Sequence, residues 1–353
     1  MNASSPDPVQ MLDNALQAAT VRRRPDALLL SGGLDSSLLA ALWAARGHRP
    51  LALTIGLDPT IPCPAHAALP YPCNQDVAYA GRVAAALGLD WHPLVLSVDQ
   101  ALAALDALIV QQRSFDLGQL NNIPLIAGIA VAQRRGAATF ATGDDADGLF
   151  GGYQFLRTET EWSTYVAGRI PTIDPPARGI GEAAGCAPLF PFLEPEVIAV
   201  ATTRRYDEVY RSLLASEHPL PPSFVDQLDP ALMTADTRPW GKVIVRQVAE
   251  RWLPREIAWR PKTDLQFGSG MCGLEPILAV RVTPARRAEL DATGIAWFND
   301  AHRALFIRSR ELGVEIPPPG EGEYACRSCG AGVPIGKRHC VTCGSWPADQ
   351  DGA

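Results

Sequence analysis

Through the first half of the chain, short unbroken apolar runs alternate with stretches whose apolar residues recur every three or four positions. Residues from about Pro8 to Arg24 have helical spacing and stop at Pro25, which has no N–H to extend a helix. Ala27 to Leu30 is a continuous apolar run, the pattern of a strand covered on both faces. After a turn at Ser31-Gly32-Gly33, Asp35 to Arg46 is helical and ends at Gly47, a natural C-cap. Leu51 to Ile55 reads as a strand, Gln75 to Leu87 as a helix closed by Gly88, and Leu94 to Ser97 as a strand. Ile123 to Arg134 then reads as a helix and Ala138 to Ala141 as a strand. Strands alternating with helices over short connections predict an α/β fold, a doubly wound parallel sheet with helices on both faces.

Beyond Tyr153 the periodicity weakens. Arg157 to Cys186 and Ser216 to Trp240 are rich in Pro, Gly and polar residues, the composition of lids or binding loops. Trp240 to Trp252 regains helical spacing, and Pro317-Pro318-Pro319-Gly320 reads as a semi-rigid linker. The expected organisation is an N-terminal helical segment (1–24), a main domain with a helical C-terminal part (25–316), a linker (317–323), a small cysteine-rich module (324–346) and a tail (347–353).

Charge changes this picture little. With 31 Lys plus Arg against 38 Asp plus Glu, nothing in the whole-chain balance favours nucleic acid or a membrane surface. The longest strongly apolar stretch, Ile123 to Ala132, is far below the ~18 residues of a spanning helix. The polar opening MNASSPDPVQ is unlike a secretion signal, so the expected location is cytoplasmic. The only lysines are Lys242, Lys262 and Lys337, which singles each of them out.

Candidate chemistry begins at Leu28-Leu29-Leu30-Ser31-Gly32-Gly33-Leu34-Asp35-Ser36-Ser37. Glycines let the backbone approach an anion closely, and the following helix start offers free N–H groups and a positive dipole end. Ser31, Ser36 and Ser37 add hydroxyl donors. Asp35 is informative because a carboxylate beside phosphates needs a metal between them. Asp35 or Ser36 also reads as an ordinary N-cap, and the glycine motif alone leaves both readings open.

The string resembles the SGGxDS loop of the PP-loop pyrophosphatases, which cleave ATP between its α- and β-phosphates. A second stretch, Thr142-Gly143-Asp144-Asp145-Ala146-Asp147-Gly148-Leu149-Phe150-Gly151-Gly152-Tyr153, resembles the S-G-E-G-x-D-E-[LV]-F-G-G-Y motif of asparagine synthetases and their relatives, the β-lactam and carbapenam synthetases and lasso-peptide cyclases. Leu189-Phe190-Pro191-Phe192-Leu193-Glu194 is similar to that family's R-x-P-F-L-D segment. Lys242 to Arg246, Leu253-Pro254, Arg260-Pro261-Lys262 and Phe267-Gly268-Ser269-Gly270 follow its K-x-x-L-R, L-P, R-x-K and G-x-G order.

The resemblance implies an adenine-nucleotide α-hydrolase-like fold and an ATP-dependent ligase. Such an enzyme adenylates a carboxylate, releases PPi and passes the acyl group to ammonia or an amine. It assigns Asp35 and Asp147 to Mg2+. Ser31, Gly32, Gly33, Ser36 and Ser37 fall to the pyrophosphate, and Leu29, Ile55, Thr142 and Gly143 to the adenosine. Lys262 is assigned to charge developing on the phosphates or the tetrahedral intermediate, where a cation is worth about 3–4 kcal/mol. Where the family has Glu, Asp144 keeps a carboxylate on a shorter arm, implying proton transfer or substrate positioning. At Gly148 a carboxylate is lost. No amidotransferase stretch precedes Pro25 and Met1-Asn2 offers no nucleophilic cysteine, so the expected nitrogen source is free ammonia or an amine, supplied by a separate partner protein if by a protein at all. The acid is expected to be a small molecule or carrier-borne.

Two alternatives compete. One is adenylation followed by sulfur transfer, on tRNA for example, which the amide-type acidic motif and the net charge disfavour. The other is a non-catalytic adaptor that binds through its tail, which the intact Asp35, Asp147 and Lys262 disfavour. In that tail Cys326-x-x-Cys329 and Cys340-x-x-Cys343 form two knuckles, each followed by glycine, the pattern of a structural zinc ribbon. Too short for its own core, the module would take its folding energy from the metal. Cys63 and Cys73 flank a Pro-rich loop at a spacing that fits no metal template and read as buried free thiols.

Overall fold

The computed structural model describes residues 7–64, 73–218 and 236–349. Its centre is a five-stranded sheet in the order β3-β2-β1-β4-β5, with β1 at Ala27–Leu29, β2 at Leu51–Leu57, β3 at Trp91–Leu96, β4 at Thr139–Ala141 and β5 at Ala187–Leu189. Every pairing is parallel, with Ala27 opposite Leu51 on one side and Phe140 on the other. Parallel neighbours need crossovers, and these supply the helices that cover both faces. The doubly wound α/β expectation therefore holds. Chain order reverses between β1 and β4, so the crevice at their carboxyl ends is where such a sheet receives a ligand.

One face carries α1 (Pro8–Arg22) and α2 (Leu34–Ala44), capped over Leu12, Leu16, Leu38 and Leu42. Trp43 clamps the two helices by donating its Nε1–H to the carbonyls of Thr20 and Arg23. Helix α3 follows at Asp76–Leu87, closed at a left-handed Gly88 as its sequence suggested. On the opposite face lie α4 (Val98–Gln112) and α5 (Ile123–Arg134). Helix α4 escaped the pattern reading, although Ala101, Leu105, Leu108 and Ile109 have helical spacing and Ser97 with Gln100 forms a capping box. Strand β3 starts at Trp91, not Leu94.

The stretch read as irregular between Arg157 and Cys186 contains helices at Trp162–Arg169 and Pro176–Ala184, anchored by buried Trp162, Val166, Ala177 and Ile180. Trp240 to Trp252 divides into a strand end and a helix at Val243–Ala249. Most of the Ser216 to Trp240 loop reading falls outside the described residues.

The cysteine-rich tail forms a two-stranded antiparallel ribbon, Glu323–Ala325 against Gly332–Pro334. It is seated on the body: Ser114 Oγ donates to the Val341 carbonyl at 2.7 Å, and Phe115 N–H to the Thr342 carbonyl at 2.8 Å. Cys326, Val333, Cys340 and Cys343 share one continuous apolar cluster with Leu53, Ile55 and Ile123 of the main domain. The ribbon thereby braces the turn Leu117–Asn121 that leads into α5. No helix among the described residues is long and apolar enough to cross a membrane.

Candidate active site

A pocket opens at the carboxyl ends of β1, β2 and β4. Leu29, Ser31, Gly33, Asp35, Ser36 and Ile55 line it from the first two strands, and Thr142, Gly143, Asp144 and Asp147 from the loop after β4. Lys242, Arg260 and Lys262 close it. Of the residues singled out in sequence, Gly32 and Ser37 do not reach the pocket. Gly32 has φ +67°, and a Cβ there would run into the backbone of Tyr79 and Ala80, so it serves the packing of α3 on the loop. The hydroxyl of Ser37 is buried one residue deeper in α2, without a hydrogen-bond partner.

Helix α2 begins at Leu34 behind an N-cap glycine, Gly33, that has no side chain to cap its free N–H groups, so its N-terminus faces the pocket as a ready anion site. Ser31 and Ser36 stand beside it, their hydroxyls 3.2 Å apart, and Ser31 Oγ accepts from the Gly33 N–H. The loop after β4 lies directly on this one. A Cβ on Gly143 would stand 2.7 Å from that of Asp35, so only glycine allows the two loops to touch. That contact brings Asp35 and Asp147 to one place.

The cation between them was not expected. Lys242, whose side chain is 2% exposed, pairs with Asp35 and sits 2.7 Å from Asp147. It starts the helix Val243–Ala249 from a left-handed backbone, φ 55°, and its N–H donates to the Gly151 carbonyl. Cβ atoms on Gly152 or Gly241 would collide with Asp147 and with the Gly151 carbonyl respectively, so the paired glycines form the slot that admits this side chain. The sequence signals were its rarity, one of three lysines, and its position before the apolar Val243-Ile244-Val245.

Burial pushes the Asp35 carboxyl above its ordinary range, against the pull of Lys242. Burial acts on Asp147 too, but Lys242 and Lys262 outweigh it and hold that carboxyl below its ordinary range. Asp35 Oδ1 remains buried with no hydrogen-bond partner, an oxygen suited to a hard cation. Lys262 lies at the mouth, 3.6 Å from Asp147 and 3.1 Å from Asp264. Deeper in, burial and the neighbouring Asp145, Asp147 and Asp35 raise the Asp144 carboxyl to about 6, against a hydrogen bond with Thr142.

At Gly148, where the resembled motif carries a carboxylate, a Cβ would strike the Arg169 guanidinium. Arg169 pairs with Asp145, so a neutral ion pair stands beside Gly148. Arg260 is also structural in part: it holds Asp76 at 2.7 Å and the Ser31 carbonyl at 3.2 Å, tying α3 to the phosphate loop.

In the tail, the four sulfurs of Cys326, Cys329, Cys340 and Cys343 lie within 4.8 Å of one another and can hold a metal ion. Two of the edges are 3.8 and 3.7 Å, close to the ~3.8 Å between thiolates on a tetrahedral zinc with Zn–S bonds of about 2.3 Å. His339 turns to Asp116 instead. Contrary to their reading as separate free thiols, Cys63 and Cys73 are joined as a disulfide, and Cys272 lies against them.

The asparagine synthase family pattern matches residues 9–219. A putative asparagine synthetase (glutamine-hydrolyzing) 1 of Methanocaldococcus jannaschii is 25% identical over 286 residues, 74% of this chain and 49% of its own. Asparagine synthetase B (glutamine-hydrolyzing) of Escherichia coli is 22% identical over 345 residues, 91% of this chain and 57% of its own. A probable asparagine synthetase (glutamine-hydrolyzing) of Schizosaccharomyces pombe is 30% identical over 169 residues, 43% of this chain and 29% of its own. The chain thus spans about half the length of the first two curated relatives.

Two outcomes are expected of the nucleotide- and metal-free protein. Lys242→Met should lower its stability by roughly 3–5 kcal/mol, because two buried carboxylates lose their shared counter-charge. Adding Asp35→Asn to that variant should recover part of the loss in denaturant titrations; strictly additive effects would show that the three groups are not coupled. Asp144 binds a proton in the folded chain at pH values where the unfolded chain has released it. Its stabilising contribution is therefore present below the ordinary carboxylate range and is lost as pH rises through about 6. Asp144→Asn should be more stable than the parent at pH 8, by on the order of 1–2 kcal/mol after allowance for partial exposure, and equal to it near pH 4. A stability difference that does not change with pH would contradict the placement of this carboxyl.

Proposed function

This chain belongs to the asparagine synthase family, and we propose that it is an ATP-dependent, AMP- and PPi-forming carbon–nitrogen ligase acting on a small-molecule or carrier-borne carboxylate. The observation that carries the proposal is the convergence of Asp35, Asp147, Lys242 and Lys262 in front of an uncapped helix N-terminus. Carboxylates beside an anion site make chemical sense only with cations to bridge them.

In this reading the triphosphate lies on the start of α2, held by its N–H groups and by Ser31 and Ser36. The adenosine rests against Leu29 and Ile55, with Thr142 and Gly143 at its edge. Asp35 and Asp147 would hold Mg2+, which when bound neutralises the departing pyrophosphate. A substrate carboxylate oxygen attacks the α-phosphorus, and the bond to the bridging oxygen breaks as PPi leaves. Lys242 keeps the two aspartates together, and Lys262 faces the charge that builds on the α-phosphate. The amine then attacks the acyl carbon of the adenylate, AMP departs, and the amine's proton passes to Asp144. A carboxyl raised to about 6 is well matched to accept a proton near neutral pH.

The nitrogen source is proposed to be free ammonia or an amine, brought by a separate partner protein if by a protein at all. Releasing ammonia from glutamine takes an accessible nucleophile. Cys186 is fully buried, with its thiol pushed up by burial, and burial raises the Cys272 thiol to about 12. The tail cysteines are proposed to hold a structural Zn2+ that keeps the ribbon folded against the turn before α5.

The test is ATP–PPi exchange with Mg2+ across a panel of carboxylic acids. Exchange should require one class of acid and fall about a hundredfold or more in Asp35→Asn, Asp147→Asn and Lys262→Met. With that acid supplied, ammonium should yield an amide while glutamine alone should not. Exchange that survives in both aspartate variants would end the metal assignment, and glutamine-driven product from the purified chain would end the nitrogen assignment.

A further inference from the structure

Three cysteines that the sequence scatters come together beside the start of α3. Cys63 follows β2, Cys73 precedes α3, and Cys272 lies in the short turn Met271–Gly273. Their three sulfurs lie within 4.8 Å of one another, and Cys73 Sγ is 3.2 Å from Cys272 Sγ. Cys272 is fully buried, and Cys63 and Cys73 are half-buried.

The surroundings hold this meeting point in place. Asn74 donates to the Leu57 carbonyl at 3.0 Å and receives the left-handed Gly270 against its side chain. Its own N–H donates to the Phe267 carbonyl at 2.7 Å. The connection from β2 to α3 is thereby fastened to the segment that follows Lys262. Three positions beyond Cys73, Asp76 lines the pocket and holds Arg260.

Cys63 and Cys73, joined in the structure with Cα atoms 6.4 Å apart, can serve either as a disulfide or as two metal ligands without moving the backbone far. The tail decides between these. Four more thiols stand unpaired there at metal-ligand distances, an arrangement that works only where thiols stay reduced. A permanent disulfide elsewhere in the same chain is out of keeping with that setting. Three sulfurs packed together and kept reduced call for a soft cation to share.

We propose that Cys63, Cys73 and Cys272 form a second, mononuclear thiolate site for Zn2+, which pins the β2–α3 connection to the segment behind Lys262. Three protein thiolates leave one corner of the tetrahedron to water or another donor. Seating the ion needs Cys63 and Cys73 as two thiols: where the disulfide of the structure has formed, a dithiol reductant must supply two electrons and two protons and become a disulfide in turn. The thiols then give up their protons as the ion binds, and Cys73 and Cys272 part from 3.2 Å to about 3.8 Å. Sulfurs this close suit a single ion; an iron–sulfur cluster, whose thiolates sit on different irons, spreads them wider. The inference draws on the tail cluster being a metal site, and the test separates the two.

The full chain, purified under reducing conditions without chelator, is assayed for zinc, iron and acid-labile sulfide per polypeptide. Two zinc ions are expected. Cys272→Ala should lose one of them and Cys340→Ser the other. If either variant fails to fold, differential alkylation of the parent chain decides the matter: Cys63, Cys73 and Cys272 should be shielded until a chelator is added and then react. A count of one zinc that disappears with Cys272→Ala and survives Cys340→Ser would uphold this site and remove the tail assignment. One zinc lost only with Cys340→Ser would overturn the proposal. So would an intact mass lighter by two hydrogens from a Cys63–Cys73 bond under those conditions, or iron with labile sulfide.

Discussion

A lysine ammonium buried between two aspartates is the constraint around which this molecule is arranged. Lys242 is almost inaccessible to water, and so it must be paired at once with Asp35 on the helix after β1 and Asp147 on the loop after β4. Leaving any of the three uncompensated costs several kcal/mol, on the order of 3–5. The parallel sheet puts both loops at the same end, and the reversal of chain order between β1 and β4 leaves the gap in which they meet. Glycines at 143, 152 and 241 remove the Cβ atoms that would hold the three segments apart. Fold, loop contact and charge are thus one requirement seen at three scales.

Beside the same pocket a salt bridge stands at the one place where the acidic loop departs from the motif it resembles in losing a carboxylate. At Gly148, where that motif has a carboxylate, the Arg169 guanidinium fills the space and pairs with Asp145. Asp35, Asp144 and Asp147 lie together on the pocket wall. The ribbon belongs to the same economy of support. Its cysteines lie in the apolar cluster beneath β2 and α5, so it braces the turn ahead of the pocket wall and does not hang as a free appendage.

What was legible in the sequence was local. The strand–turn–helix around Ser31 to Ser37 and the acidic loop at 142–153 carry their geometry in consecutive residues, and the tail knuckles carry theirs in C-x-x-C spacing. The burial rhythm of β1, β2 and α5 likewise needs only neighbours to read. Lys242 was not legible as a site residue, because its role depends on a slot made by glycines from two distant segments. Convergence of Cys63 and Cys73 with Cys272 was hidden for the same reason: a spacing in sequence says nothing about a turn that arrives from elsewhere. The helix at Pro176–Ala184 was masked by Pro175 and Pro176 at its start and Gly185 at its end, where such residues cap helices instead of excluding them, and the helix at Trp162–Arg169 by Gly168 inside its last turn.

The proposed reaction cleaves ATP between its α- and β-phosphates. The most direct measurement is 31P NMR of a reaction containing the chain, Mg2+, ATP, an accepted acid and ammonium. AMP and pyrophosphate should grow together in equal amounts, with amide formed in step. Resonances of ADP and inorganic phosphate growing in their place would contradict the account at its root.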